Sequence, residues 1–128
     1  MLPKKGKSEN IKSRTTAPAM MQGVHTEKVE GGKLVRVKVE YNPEDKLIED
    51  VQVHGDFFIY PEEFIADIEQ LLVNLDHKDT EQSISAALQR LIEDEGADLI
   101  GVTPEYIART FKTALSNAMN AEKTLPAN

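Results

Sequence analysis

The residues able to do chemistry in this chain are three histidines, a set of carboxylates and seven aromatics, since cysteine is absent. Without thiols there is no disulfide, thiolate zinc site, iron–sulfur ligation or cysteine nucleophile. His25, His54 and His77 do not fall at the i, i+3 or i+4 spacing that builds a metal site on one helix face. His54 and Asp56 are two apart, so an extended chain points them the same way. An isolated His/Asp pair without a nucleophile is usually a polar surface pair, and the other parts of a triad are missing here. Glu62/Glu63 and Glu93-Asp94-Glu95 fall at a predicted helix start and helix end, where solvation is expected. Paired-carboxylate hydrolysis needs two such groups converging on one cleft in different environments.

The unusual segment is Gly55-Asp56-Phe57-Phe58-Ile59-Tyr60-Pro61, which sets three of the seven aromatics between a predicted strand end and a predicted helix start. Two readings stand side by side. Buried aromatics dominate cores, so Phe57, Phe58 or both can be wedges locking the following helix onto a sheet. Aromatics are also enriched among interface hot spots, and neighbouring residues of an extended chain point opposite ways, so one ring can face inward and the next a partner.

The elements that position this segment follow from periodicity. Val35, Val37, Val39 and Tyr41 alternate with Arg36, Lys38 and Glu40, the pattern of a half-buried strand. Before it, residues 23–30 form a less regular strand, with Gly31-Gly32 as a two-residue hairpin turn. After it, Asn42-Pro43-Glu44-Asp45 is turn chemistry, and residues 47–54 read as a third strand with Val51 and Val53 inward. The period then changes to 3.6. Pro61 at the first helical position, Glu62 and Glu63 in the first turn, and Phe64, Ile65, Ile68, Leu71 and Leu72 predict one helix. Asp79 as cap, with Gln82 three residues on, opens a second along Ile84, Ala87, Leu88, Leu91 and Ile92, closed by Gly96. Thr103-Pro104-Glu105 opens a third, with Ile107, Phe111, Ala114, Leu115 and Ala118 inward. The expected fold is α+β: a three-stranded antiparallel sheet followed by about three helices packed on one face.

Domain organisation follows from composition. The 128 residues suit one domain. Residues 1–22 carry Lys4, Lys5, Lys7, Lys12 and Arg14 against Glu9, a net charge of +4, so the rest of the chain holds −11 of the total of −7. This segment reads as a disordered basic tail, residues 23–120 as the domain and 121–128 as a frayed end. Organelle transit peptides share some of the tail's composition, but Glu9 and its single arginine argue against that origin. An acidic domain repels phosphate backbones, and the basic arm has no aromatic to stack on bases, which argues against nucleic acid. No apolar run approaches the roughly 18 residues of a membrane span. A soluble, cytoplasmic protein is expected.

Three motifs together resemble the small C-terminal domain of lipoate–protein ligases: Gly31-Gly32-Lys33-Leu34-Val35-Arg36-Val37, Gly55-Asp56-Phe57-Phe58 with Pro61 just after, and Gly101-Val102-Thr103-Pro104. The resemblance spans about residues 23–111. In two-piece ligases that domain is a separate accessory chain. The resemblance implies a SufE/NifU-like fold, no cofactor and no catalytic residue on this chain, and a heterodimer with a catalytic subunit. That subunit binds ATP, Mg and lipoate, forms lipoyl-AMP and passes the lipoyl group to acceptor-protein lysines. Its hallmark arginine–triple-glycine–histidine run is absent here. The residues expected at the subunit contact are Gly31, Gly32, Lys33, Gly55, Asp56, Phe57, Phe58 and Tyr60. The alternative is a stand-alone interaction or regulatory module with the same fold.

Overall fold

The computed structural model describes residues 20–124, apart from 30 and 32. Most of the predicted basic tail, Gly32 and residues 125–128 lie outside the described residues. The order is β1 (Met21–Lys28), β2 (Leu34–Asn42), β3 (Leu47–Gly55), β4 (Phe58–Tyr60), α1 (Phe64–Val73), α2 (Glu81–Glu95), β5 (Asp98–Ile100) and α3 (Pro104–Thr124). The first three strands form an antiparallel meander in the order β1-β2-β3. The α+β expectation is met: α3 lies across β1 and β2, α1 covers β3, and α2 packs on both helices.

The period-two pattern of β2 translates directly into packing. Val35, Val37, Val39 and Tyr41 are all buried, and Val51 and Val53 meet them from β3 in the pairs Val39↔Val51 and Val37↔Val53. A bulge at Glu40/Tyr41 shifts the register so that Ile48 also points inward. The helices answer with Phe64, Ile68 and Leu72 from α1, Ile84 and Leu88 from α2, and Ile107, Phe111, Ala114, Leu115 and Ala118 from α3. The opposite sheet face carries exposed Arg36, Gln52 and His54.

Both sheet edges are partly blocked by helix side chains. The Val53 amide of β3 donates to the Glu69 carboxylate of α1 at 2.8 Å, and the Asn117 amide of α3 donates to the Val24 carbonyl of β1 at 3.1 Å. An edge group already bonded cannot template another strand.

Four local expectations need correction. The first hairpin is not closed by two residues, because buried Val29 turns into the core and its amide donates to the Lys33 carbonyl at 2.6 Å, leaving a five-residue connection. β1 starts at Met21, two residues before the predicted strand. The first helix begins at Phe64 and not at Pro61, because residues 58–60 stay extended in β4. The chain then turns through a cis Tyr60–Pro61 bond, with the Phe64 amide donating to the Pro61 carbonyl at 3.0 Å. The cap of α2 is Thr80, whose hydroxyl accepts from the Ser83 amide at 3.0 Å, while Asp79 accepts from the Asp76 amide in the preceding turn. Thr80→Ala should therefore cost about 1 kcal/mol in urea unfolding.

Other local signals hold. Gly96 ends α2 in the left-handed region at φ 65°, with the Ala97 amide reaching back to the Ile92 carbonyl. The Thr103 hydroxyl accepts from the Tyr106 amide at the start of α3. Among the described residues no helix is long and apolar enough to cross a membrane.

Candidate functional site

At the end of β3 the chain makes an element that periodicity did not predict. β4 pairs antiparallel with β5 as a separate two-stranded ribbon, in the register Phe58↔Ile100, Ile59↔Leu99 and Tyr60↔Asp98. Alternation along β4 buries Ile59 and turns Phe58 and Tyr60 outward, 67% and 70% exposed. Ile100 stands opposite Phe58, also exposed. The result is an apolar, largely aromatic face in solvent.

The ribbon is fixed to the sheet by backbone contacts that require glycine. The Asp56 amide donates to the Leu34 carbonyl at 2.9 Å, carrying the sheet one residue past β3. The Phe57 ring folds back over Gly55, where a Cβ would overlap the Leu34 carbonyl oxygen and come within 2.6 Å of the ring. Phe57 thus packs partly buried against the core while Phe58 points away, so the two readings of the aromatic pair divide between its two members. Gly101 closes the other side at φ 95°, a backbone conformation that favours glycine, although a Cβ there would make only ordinary contacts with Phe57 and the Lys33 side chain.

The three motifs, dispersed through the sequence, therefore meet at one end of the molecule. Gly55, Asp56, Phe57, Phe58 and Tyr60 belong to the ribbon and its junction. Lys33 and Gly31 line a groove on the far side of β5 with Leu99, Gly101 and Tyr106. Sequence reasoning missed Ile100 and Asp98. Their signal was the short run Asp98-Leu99-Ile100 between Gly96 and Gly101, which reads as loop on its own.

A groove of about 560 Å³ runs along the exposed side of the ribbon, walled by Phe58, Tyr60, Ile65 and Ile100, with His54, Glu62 and Asp98 at its polar positions. That volume is in the range of ligand pockets. The groove is open, however, and three of its walls stand mostly in solvent, so it suits side chains of another protein better than a ligand that must be enclosed.

The remaining chemistry-bearing residues are not brought together. His54 and Asp56 are both exposed, with no bond between them. His25 lies 3.7 Å from Glu27, which Arg109 approaches at 3.4 Å while stacking 4.8 Å over the Tyr106 ring. His77 contacts Asp76 at 3.0 Å, and its carbonyl accepts from Lys112. Among the described residues no three His, Cys, Asp or Glu come together in a set able to hold a metal ion.

Fold and site together define a small α+β domain that presents an apolar ribbon at the end of its sheet. Residues 21–111 match the family described as the bacterial lipoate protein ligase C-terminus, and the chain belongs to that family. Among solved structures it is similar to a chain from the bipartite lipoate protein ligase and E2 lipoyl domain of Thermoplasma acidophilum. The two are 25% identical with a TM-score of 0.57, over 73% of this chain and 97% of that one. None of the curated proteins compared matches the chain.

Proposed function

We propose that this chain is the accessory subunit of a two-piece lipoate protein ligase and docks on a separate catalytic subunit through the β4–β5 ribbon. Family membership and the likeness to a bipartite archaeal ligase support the ligase assignment. The observation that carries the docking reading is the meeting of the three motif segments beside exposed Phe58, Tyr60 and Ile100. Bulky apolar side chains held outward on paired strands are preorganised anchors, which cost little further ordering on association.

On this reading ATP, Mg and lipoate belong to the catalytic subunit, as do formation of lipoyl-AMP and transfer to acceptor lysines. The donor residues described above do not fit a metal site, and no step is assigned to this chain's own side chains. Its contribution is binding energy: a remote interface that orders the partner's active-site loops and excludes water while the adenylate forms. The SufE/NifU-like grouping stays an implication of the family resemblance.

The test is lipoyl-AMP formation and acceptor lipoylation by the cognate catalytic subunit, with and without this chain, alongside co-purification. Activity that requires both chains, and a complex that survives gel filtration, support the proposal. A catalytic subunit fully active alone and indifferent to this chain overturns it.

A further inference from the structure

The ribbon's apolar centre is bordered by carboxylates. Glu62 and Asp98 line the same groove as Phe58 and Tyr60, with Asp98 directly across the ribbon from Tyr60. Asp56 precedes the aromatic pair and Glu63 follows the turn, and all four are exposed. None of the four has an ion-pair partner among the described residues, unlike Glu27, which Arg109 engages. The cation of the neighbouring motif, Lys33, lines the groove on the other side of β5. Among the described residues, only His54 offers a basic group within the ribbon's own groove. A domain holding most of the chain's negative charge thus adds a local acidic border to an apolar anchor.

We infer that the surface received by the ribbon is basic, an apolar recess on the catalytic subunit flanked by lysine or arginine side chains that face Glu62 and Asp98. This rests on the docking proposal and deepens it by naming the chemistry of the partner's contact. Unpaired carboxylates around an apolar centre would repel an acidic partner and leave a neutral one with uncompensated charges at the rim. Against a basic surface the same groups draw the subunits together over about a Debye length and set their orientation before the rings seat. The apolar contacts then determine how long the complex lasts.

The experiment is stopped-flow association of the full chain with its catalytic subunit at roughly 50 and 500 mM NaCl, comparing the natural chain with Glu62→Lys/Asp98→Lys. The on-rate of the natural chain should fall about tenfold over that range. The double reversal should lower the low-salt rate about tenfold and flatten the salt dependence. Glu44→Lys/Glu49→Lys, at the opposite end of the sheet, should stay close to the natural rate, which separates local pairing from net charge. Binding that is intact but indifferent to salt and to the ribbon reversal overturns the inference and leaves docking standing. A rate that rises with salt would mean that the surface facing the ribbon is acidic and repels it, and overturns it too. Absence of any binding by the natural chain removes the docking proposal and the inference together.

Discussion

Phe58→Ala/Tyr60→Ala is expected to weaken binding to the catalytic subunit by roughly 100-fold, about 3 kcal/mol, while leaving the stability of the free chain within about 0.5 kcal/mol. The separation of the two effects comes from where the rings stand. Both are about two-thirds exposed, so truncation opens no cavity and uncovers little core. Against a partner surface the same rings become the largest apolar groups that the ribbon can bury. Phe57→Ala should behave in the opposite sense. Its ring is partly buried, packs on the core and lies over Gly55, so its loss should cost about 2 kcal/mol in urea unfolding and weaken binding only by loosening the ribbon's base. Surface plasmon resonance on the three chains, with urea titrations alongside, reads both quantities. Wild-type affinity in the Phe58/Tyr60 variant would place the interface elsewhere.

That division between neighbouring aromatics shows what the sequence makes legible. Strict alternation along residues 35–41 identified β2, because one buried and one solvated face leave opposite chemistry at successive positions. The stripes of α1, α2 and α3 were equally readable, since each helix buries one side. β4 and β5 were not. Each is three residues long, too short to show a period, and their pairing joins residues about forty apart, which composition cannot report. The same non-local pairing explains the misplaced start of α1. Pro61 looks like a helix opener only while residues 58–60 are free to precede a helix, and their pairing with β5 removes that freedom. Asp79 and Thr80 are both good caps by type. Which one caps α2 depends on the preceding turn, where Asp79 is already engaged by the Asp76 amide. The motif residues proposed as an interface were legible as a set; that they converge, with Ile100 completing the exposed face, is a property of the fold.

Gly23→Ala is expected to destabilise the chain by about 3 kcal/mol or more, the upper range for forcing atoms into a packed interior. The expectation runs against the local rule, because alanine in a strand is ordinarily better than glycine by about 0.5–1 kcal/mol. The reason is the approach of α3. Gly23 sits on the helix-facing side of β1, opposite Val39 in the register, and α3 crosses it with Ala114 and Ala118, both fully buried. A Cβ on Gly23 would overlap the Ala114 carbonyl oxygen and the Ala118 amide nitrogen, and it would lie 2.9 Å from the Ala118 Cα. These are backbone atoms in mid-helix, so no side chain can swing aside. α3 must lift away, loosening its contacts with β1 and β2 and straining the Asn117 bond to the Val24 carbonyl. Urea unfolding followed by circular dichroism measures the cost, and a neutral or stabilising result would mean that α3 does not rest on the β1 backbone. In the sequence Gly23 is simply the first residue of a less regular predicted strand. Its role comes from small residues more than ninety positions away, on a helix whose own pattern shows only that alanines face inward. Close approach of helix to strand is written in both segments at once, and neither states it alone.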